Sequence, residues 1–167
     1  MASIQRIIRE RKGTAGSSRS WSVVKINEGV NVLGEHVSQY ILYHYSTPML
    51  IWGDIRRSEN GSVRSSYMYS HSIGHGSVSD QNGMNTAFQE LRIPCRYHRD
   101  WRGGGPRIHY TERYIGYGAS RVDNNCIIER GRYSIDKSGV GARLEDILDK
   151  EIFDNVQKII ERGKKCE

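Results

Sequence analysis

The chain has 167 residues, and its 25 lysines and arginines against 19 aspartates and glutamates give a formal net charge of +6. Hydrophobic residues make up 37% of the chain, which also holds 18 glycines and 10 tyrosines but only 3 prolines. This length is typical of one domain, and the sequence excludes a membrane-spanning helix, a collagen-like chain and a coiled coil.

The first 20 residues carry five basic side chains and one acidic side chain. Three isoleucines fall on one face of a short predicted helix over residues 3–11, which is too short to be stable alone. Residues 12–20 are rich in glycine and serine, which is typical of a flexible linker. We therefore expect residues 1–20 to form a flexible basic arm that orders on a partner, or else a solubilising tail.

β-branched and aromatic residues predict a series of strands after this arm. Asn60-Gly61 indicates a type I′ turn, which is a strong hairpin signal. The predicted strands cover residues 21–26, 39–45, 49–56, 63–69, 95–98, 107–114, 125–130 and 133–135.

Two segments have the apolar period of a helix. The shorter one runs to residue 91 with Ser79 or Asp80 as its N-cap, and Pro94 ends it. The longer one covers residues 142–162, with an apolar stripe of Leu144, Ile147, Leu148, Ile152, Val156, Ile159 and Ile160. We expect it to pack on the sheet, and a protruding dimerisation helix is the alternative.

The predicted fold class is therefore α+β: a mostly antiparallel sheet with one short central helix and a long C-terminal amphipathic helix packed on it. Residues 21–167 are expected to form this single domain, and residues 1–20 to precede it as the arm.

Residues 92–121 carry seven basic and two acidic side chains, and every basic one is an arginine. Arginine binds phosphate with two parallel hydrogen bonds, and aromatic rings between the arginines offer platforms for bases. The alternative is a solvated strand face on which arginine stems cover tyrosines. The predicted nucleic-acid-binding residues are Arg96, Arg99, Arg102, Arg107, Arg113, Trp101, Tyr97 and Tyr110, with Arg6, Arg9, Arg11 and Lys12 in the arm.

Two glycine-containing loops are further candidates. Gly103-Gly104-Gly105 between two arginines would let the backbone approach a phosphodiester closely, or it is a flexible hairpin tip. The loop over residues 74–80 precedes the short helix and has the composition of an anion site, although an ordinary helix cap is the favoured interpretation.

Catalytic chemistry has a weaker basis in this sequence. His75, His98 and His109 could supply the base and acid of a metal-independent ribonuclease if they met in space. The three cysteines form no Cys-x-x-Cys pair, and no Gly-x-Ser-x-Gly nucleophile motif occurs. We expect no metal and no cofactor, and we favour binding over catalysis.

His44-Tyr45-Ser46-Thr47, the strand and hairpin that follow, and a glycine/serine loop before a helix with Asn85 resemble a small uncharacterised domain of tailed phages and mobile elements. The resemblance covers about residues 40–91. Residues 76–80 here replace the threonine-rich loop usual in that family. The resemblance implies a viral or mobile-element origin and a binding role, and it supplies no catalytic residues.

The leading hypothesis is a small basic protein that binds nucleic acid, DNA or RNA, through arginine, tyrosine and tryptophan side chains. The first alternative is a protein-binding module, such as a phage inhibitor of a host enzyme or a virion component, and the second is the ribonuclease. Nucleic acid is the expected partner, a host protein is a further one, and no membrane is involved. No secretion signal is recognisable at the N-terminus, so we expect a cytoplasmic location.

Overall fold

The computed structural model describes residues 3–30, 34–111, 120–121, 127–129, 132–134 and 158. These residues form a mixed α+β structure with a mostly antiparallel sheet and two α-helices. The helices are α1 (Ile4–Glu10) and α2 (Val78–Leu91), and the strands are β1 (Gly13–Ala15), β2 (Trp21–Val30), β3 (His36–His44), β4 (Thr47–Arg56), β5 (Val63–His71), β6 (Cys95–His98), β7 (Arg107–Tyr110), β8 (Ser120–Arg121), β9 (Ile127–Glu129) and β10 (Arg132–Ser134).

The larger sheet is a meander, because β1 to β5 lie side by side in chain order and β9 and β10 extend it beyond β5. All of its pairings are antiparallel. A smaller sheet has the order β6-β7-β8. These strands confirm the antiparallel part of the predicted fold, since antiparallel neighbours need only short connections.

Both helices pack on one face of the larger sheet. The core there includes Leu42, Leu50 and Trp52 of the sheet and Phe88 of α2, all fully or almost fully buried. Gly83 allows the close approach of α2, because a Cβ at this position would lie 2.2 Å from Cζ2 of Trp21.

The opposite face of the sheet is also buried. Val37, Ile41 and Ile55 on this face are at most 2% exposed. Tyr67 lies across the neighbouring strand at Gly53, where a Cβ would lie 2.2 Å from the tyrosine hydroxyl oxygen. A sheet buried on both faces has the apolar strands seen in β3 and β4.

The structure corrects the expectation of a mobile arm over residues 1–20. Ile7 and Ile8 of α1 are buried in the core, and β1 is an edge strand that pairs with β2. Burial of two isoleucines offsets the conformational entropy that would otherwise keep such a short helix unfolded.

Two further sequence predictions concern the turn between β4 and β5 and the C-terminal helix. The β4–β5 connection spans residues 57–62, and neither Asn60 nor Gly61 has the positive φ that a type I′ turn requires. The predicted helix over residues 142–162 lies outside the described residues except for Lys158, which is helical.

Candidate nucleic-acid interface

The β6–β7 hairpin has an inward and an outward face. Arg96 pairs with His109 and His98 pairs with Arg107 across the two strands. Because alternate strand residues point to opposite faces, these four side chains share the outward face. We call this face, together with the connecting loop 99–106, the basic hairpin surface. The inward face consists of buried residues: Cys95, Tyr97, Ile108 and Tyr110.

Trp101 in the loop covers the histidines of the basic hairpin surface. The indole centroid lies 4.9 Å from the His98 ring and 4.3 Å from the His109 ring. His109 is therefore only 3% exposed although it lies on the outward face. The Arg102 guanidinium carbon lies 5.1 Å from the indole centroid, which is within cation–π range. The loop thus presents a half-buried aromatic ring beside an exposed cation.

Backbone hydrogen bonds close this loop. The Trp101 amide donates to the Gly105 carbonyl at 2.9 Å, and the Gly104 amide donates back to the Trp101 carbonyl at 2.8 Å. Gly103 and Gly105 have φ values of 79° and 83°, and no other residue lies within 4 Å of the space where their Cβ atoms would be. These two glycines are therefore explained by their positive φ values, because this φ region strains other residues.

The hairpin is held against α2 by Asn85, the asparagine of the resemblance described above. Its Oδ1 accepts from the Tyr97 amide at 2.7 Å, and its Nδ2 donates to the Tyr97 carbonyl at 3.0 Å. The Arg99 amide donates to Gln81 Oε1 at 3.0 Å. Three hydrogen bonds from Gln81 and Asn85 thus fix the hairpin to α2, so the arginines project from a supported element.

The arginines of this surface have no ion pair with a described carboxylate, and Arg99 Nε donates to the Gly76 carbonyl at 3.4 Å. Arg96, Arg99 and Arg102 are exposed and Arg107 is half-buried. Within the part of the chain that the structure describes, no carboxylate oxygen lies within 4.0 Å of any of them. Asp100 is the one acidic residue of the hairpin, and residues 95–110 have a formal charge of +3.

His98 does not add to this charge at neutral pH. Burial lowers its pKa, and the neighbouring His109 and Arg96 lower it further. The imidazole is therefore neutral at pH 7, and the arginines alone carry the positive charge of the outward face.

Tyr97 and Tyr110 were predicted as stacking residues, and the structure corrects this prediction. Both rings are buried on the inward face at 0% and 1% exposure, so no base can reach them. The Tyr97 hydroxyl donates to the Ile73 carbonyl. Burial and the charge of Asp80 raise the pKa of Tyr97 to about 12, so this hydroxyl stays protonated. Both tyrosines are core residues.

The predicted basic residues of the N-terminal segment lie elsewhere. Arg9 donates to Glu90 in the last turn of α2 at 2.9 Å, and Arg6 pairs with Glu10. Arg11 is held by the buried Asp54, which corrects its assignment as a phosphate ligand. Lys12 is exposed. The remaining predicted ligand, Arg113, lies outside the described residues.

The three histidines proposed for a ribonuclease have different environments. His98 and His109 are neighbours with ring centroids 5.2 Å apart. His75 is exposed in the loop before α2, and its amide donates to Asp80. His109 is sealed under Trp101, so it is poorly placed to exchange a proton with a substrate.

Sequence analysis missed the role of the α2 start. Ser77, rather than Ser79 or Asp80, is the N-cap, and Asp80 completes the capping box from the third helical position. Asp80 and Ser79 both contact His44, which lies 35 or more positions earlier in the chain. The capping box was readable as Ser-x-x-Asp, but no spacing rule links His44 to it.

Comparisons with protein-family models, with curated proteins and with solved structures found no match to this chain. In the described part of the chain, neither helix has the length and apolar character needed to cross a membrane.

Proposed function

We propose that this protein binds nucleic acid through the basic hairpin surface. One observation carries the proposal: four arginines lie together on one hairpin beside a partly exposed tryptophan, and no described carboxylate neutralises them. Guanidinium groups bind phosphate oxygens in pairs, and release of counterions from the nucleic acid drives such binding.

The shape of the hairpin suits this role. Strands of small sheets can lie in a groove of a duplex, and an indole at the hairpin tip can stack on an unpaired base. Loop hydrogen bonds and the contacts with α2 fix the backbone before binding, which lowers the entropic cost of association. We also propose a viral or mobile-element setting, which is what the resemblance of residues 40–91 to a phage domain implies.

The N-terminal residues have a smaller part in this proposal. Arg6 and Arg9 form ion pairs on exposed surface, which phosphate can displace at little cost. Lys12 is exposed and adds non-specific affinity. Arg11, Tyr97 and Tyr110 are no longer part of the proposed interface.

We also propose that the C-terminal helix predicted over residues 142–162 packs on one face of the larger sheet and covers it. Val37, Ile41 and Ile55 form an apolar face opposite α1 and α2. A helix with the apolar stripe of residues 142–162 is suited to pack on such a face.

Fluorescence anisotropy with a labelled oligonucleotide, single-stranded and as a duplex, tests the proposed binding. The variant Arg96→Gln/Arg99→Gln/Arg102→Gln should lose most of its affinity and about one unit of salt slope per arginine that contacts phosphate. The matched control is Arg19→Gln/Arg57→Gln/Arg64→Gln, which removes the same charge from exposed arginines outside the hairpin.

The control variant should keep most of the wild-type affinity. Equal losses in the two variants would show that only the net charge matters, and no binding at about 50 mM salt would refute the proposal outright. Retention of a host protein after nuclease treatment, with no nucleic acid bound, would favour the protein-binding alternative.

A further inference from the structure

Ser79, His44 and Asp80 form a connected line of hydrogen-bonding groups at the start of α2. The Ser79 hydroxyl oxygen lies 3.4 Å from Nε2 of His44, and Nδ1 of the same imidazole lies 2.7 Å from Oδ1 of Asp80. A hydroxyl, an imidazole and a buried carboxylate in this order are the parts of a nucleophilic triad. The long hydroxyl contact is usual for such sites without substrate.

Asp80 is fixed by several donors. Its other carboxylate oxygen accepts from the amides of His75 at 3.0 Å and Ser77 at 3.2 Å, and the residue is 2% exposed. Burial alone would raise the pKa of Asp80, but hydrogen bonds from His44, Ser77 and His75 outweigh it and lower the pKa. The carboxylate therefore stays ionised at neutral pH and accepts a hydrogen bond from His44 Nδ1–H.

The imidazole of His44 is held equally firmly. His44 is the last residue of β3, and its ring stacks on Trp21 with centroids 4.1 Å apart and an interplanar angle of 7°. Because Nδ1–H donates a hydrogen bond to the Asp80 carboxylate, the Nε2 lone pair is directed to the exposed Ser79 hydroxyl. This tautomer is the one that a general base requires.

We propose that Ser79 is the nucleophile and His44 the general base of an acyl-ester hydrolase site, with Asp80 as the positioning residue. The Ser79 oxygen attacks the ester carbonyl carbon while its proton passes to His44 Nε2. Collapse of the tetrahedral adduct breaks the bond to the alcohol, which takes that proton from His44. Water then gives a proton to His44 and its hydroxyl to the acyl carbon, and Ser79 regains the proton as the acid departs.

Two exposed apolar residues lie beside the triad and bear on the choice of substrate. Tyr45 follows His44 and is 71% exposed, and Val78 precedes Ser79 and is 52% exposed. These two side chains would lie beside an ester with a short apolar acyl chain, which is the substrate class that we propose. The positive dipole end of α2 would favour the developing oxyanion.

This site is independent of the proposed nucleic-acid binding, because none of its three residues belongs to the basic hairpin surface. The first test is labelling of the full chain with a fluorophosphonate probe, followed by mass spectrometry of the modified peptide. We expect modification of Ser79, absent in Ser79→Ala and at least about 100-fold slower in His44→Gln, since general-base catalysis contributes that much. Modification of a different serine, no modification, or a His44→Gln rate equal to wild type would overturn the proposal.

Hydrolysis of p-nitrophenyl butyrate supplies the second test. Ser79→Ala should abolish turnover, whereas the control Ser62→Ala, which removes an exposed serine from the β4–β5 connection, should keep it. Equal rates in the two variants would overturn the proposal. Ser79→Ala removes only one long hydrogen bond of an exposed side chain, so loss of folding does not obscure the result.

The role of Asp80 has a spectroscopic test, because a substitution there also disrupts the capping box. Nitrogen-15 shifts of the His44 ring, assigned by their loss in His44→Gln, should identify the Nδ1-protonated tautomer in the wild-type protein. Asp80→Asn should abolish that preference and lower kcat. An Nε2-protonated ring in the wild-type protein would overturn the proposed base.

Discussion

Arg11 and Asp54 form a two-point ion pair between the end of α1 and the middle of the larger sheet. Nε of the arginine lies 2.9 Å from Oδ2 and Nη2 lies 3.2 Å from Oδ1. Asp54 is completely buried and also accepts from the Ser66 hydroxyl at 2.7 Å. The arginine is therefore the counter-charge of an interior carboxylate, and it ties the N-terminal segment to the fold.

We predict that Arg11→Ala lowers the free energy of unfolding by about 3–5 kcal/mol, because Asp54 would be left as an unpaired buried charge. Arg9→Ala is the matched control, since its partner Glu90 lies nearer the surface, and it should cost less than about 1 kcal/mol. Urea unfolding followed by circular dichroism measures both. Similar losses in the two variants would show that the Arg11–Asp54 pair contributes no more to the free energy of unfolding than the Arg9–Glu90 pair does.

The contact of Gly83 with Trp21 gives a second prediction. Gly83→Ala raises helix propensity by about 1 kcal/mol, but the added methyl group meets the indole and overpacking costs about 1–3 kcal/mol. The variant should therefore be less stable than wild type, and Trp21→Leu should reduce the penalty of Gly83→Ala in a double-mutant cycle. Gln89→Ala, on the exposed side of the same helix, is the control and should change stability little.

The sequence predicts the strands well where the signal is local. Residues 95–98 are predicted as a strand and form β6 with the same bounds, and the short helix ends at Leu91, before the Pro94 that is expected to end it. The alternation of side chains along a strand also predicts that Arg96 and Tyr97 lie on opposite faces of the hairpin, because neighbouring strand residues face opposite sides. Grouping all aromatic residues of this segment into one surface ignored that period.

The missed features depend on distant partners. Residues 12–20 have the composition of a linker, and the partners that order the N-terminal segment are distant, such as Asp54, 43 positions beyond Arg11. The contact between Ser79 and His44 likewise spans the two strands β4 and β5 that lie between them in the chain. Such contacts follow from the packing of α2 against the sheet, which local periodicity does not determine.

The lowered pKa of His98 predicts an acid-sensitive component of stability. The unfolded chain binds this proton near pH 6.5, whereas the folded hairpin binds it only at lower pH. Stability should therefore fall as the pH decreases through 6.5 and level off below the folded pKa.

His98→Gln should remove this component, and His75→Gln, which changes an exposed histidine outside the hairpin, should retain it. Urea unfolding at a series of pH values above and below 6.5 provides the measurement. Asp80 and Glu90, whose pKa values are lowered from already acidic values, act at lower pH and do not overlap with this window. An unchanged pH dependence in His98→Gln would contradict the assignment.

Substitutions of Trp101 distinguish the contribution of base stacking from the contribution of charge in the proposed interface. If its indole stacks on a base, Trp101→Leu should weaken binding to single strands by about 1–3 kcal/mol, or roughly 5- to 150-fold, and leave the salt slope unchanged. Leucine keeps apolar cover over His109, so the hairpin should stay folded. Trp101→Phe should restore part of the affinity because it restores a ring. Anisotropy titrations at several salt concentrations distinguish the outcomes: a reduced salt slope in Trp101→Leu would mean that the substitution had displaced the neighbouring arginines instead.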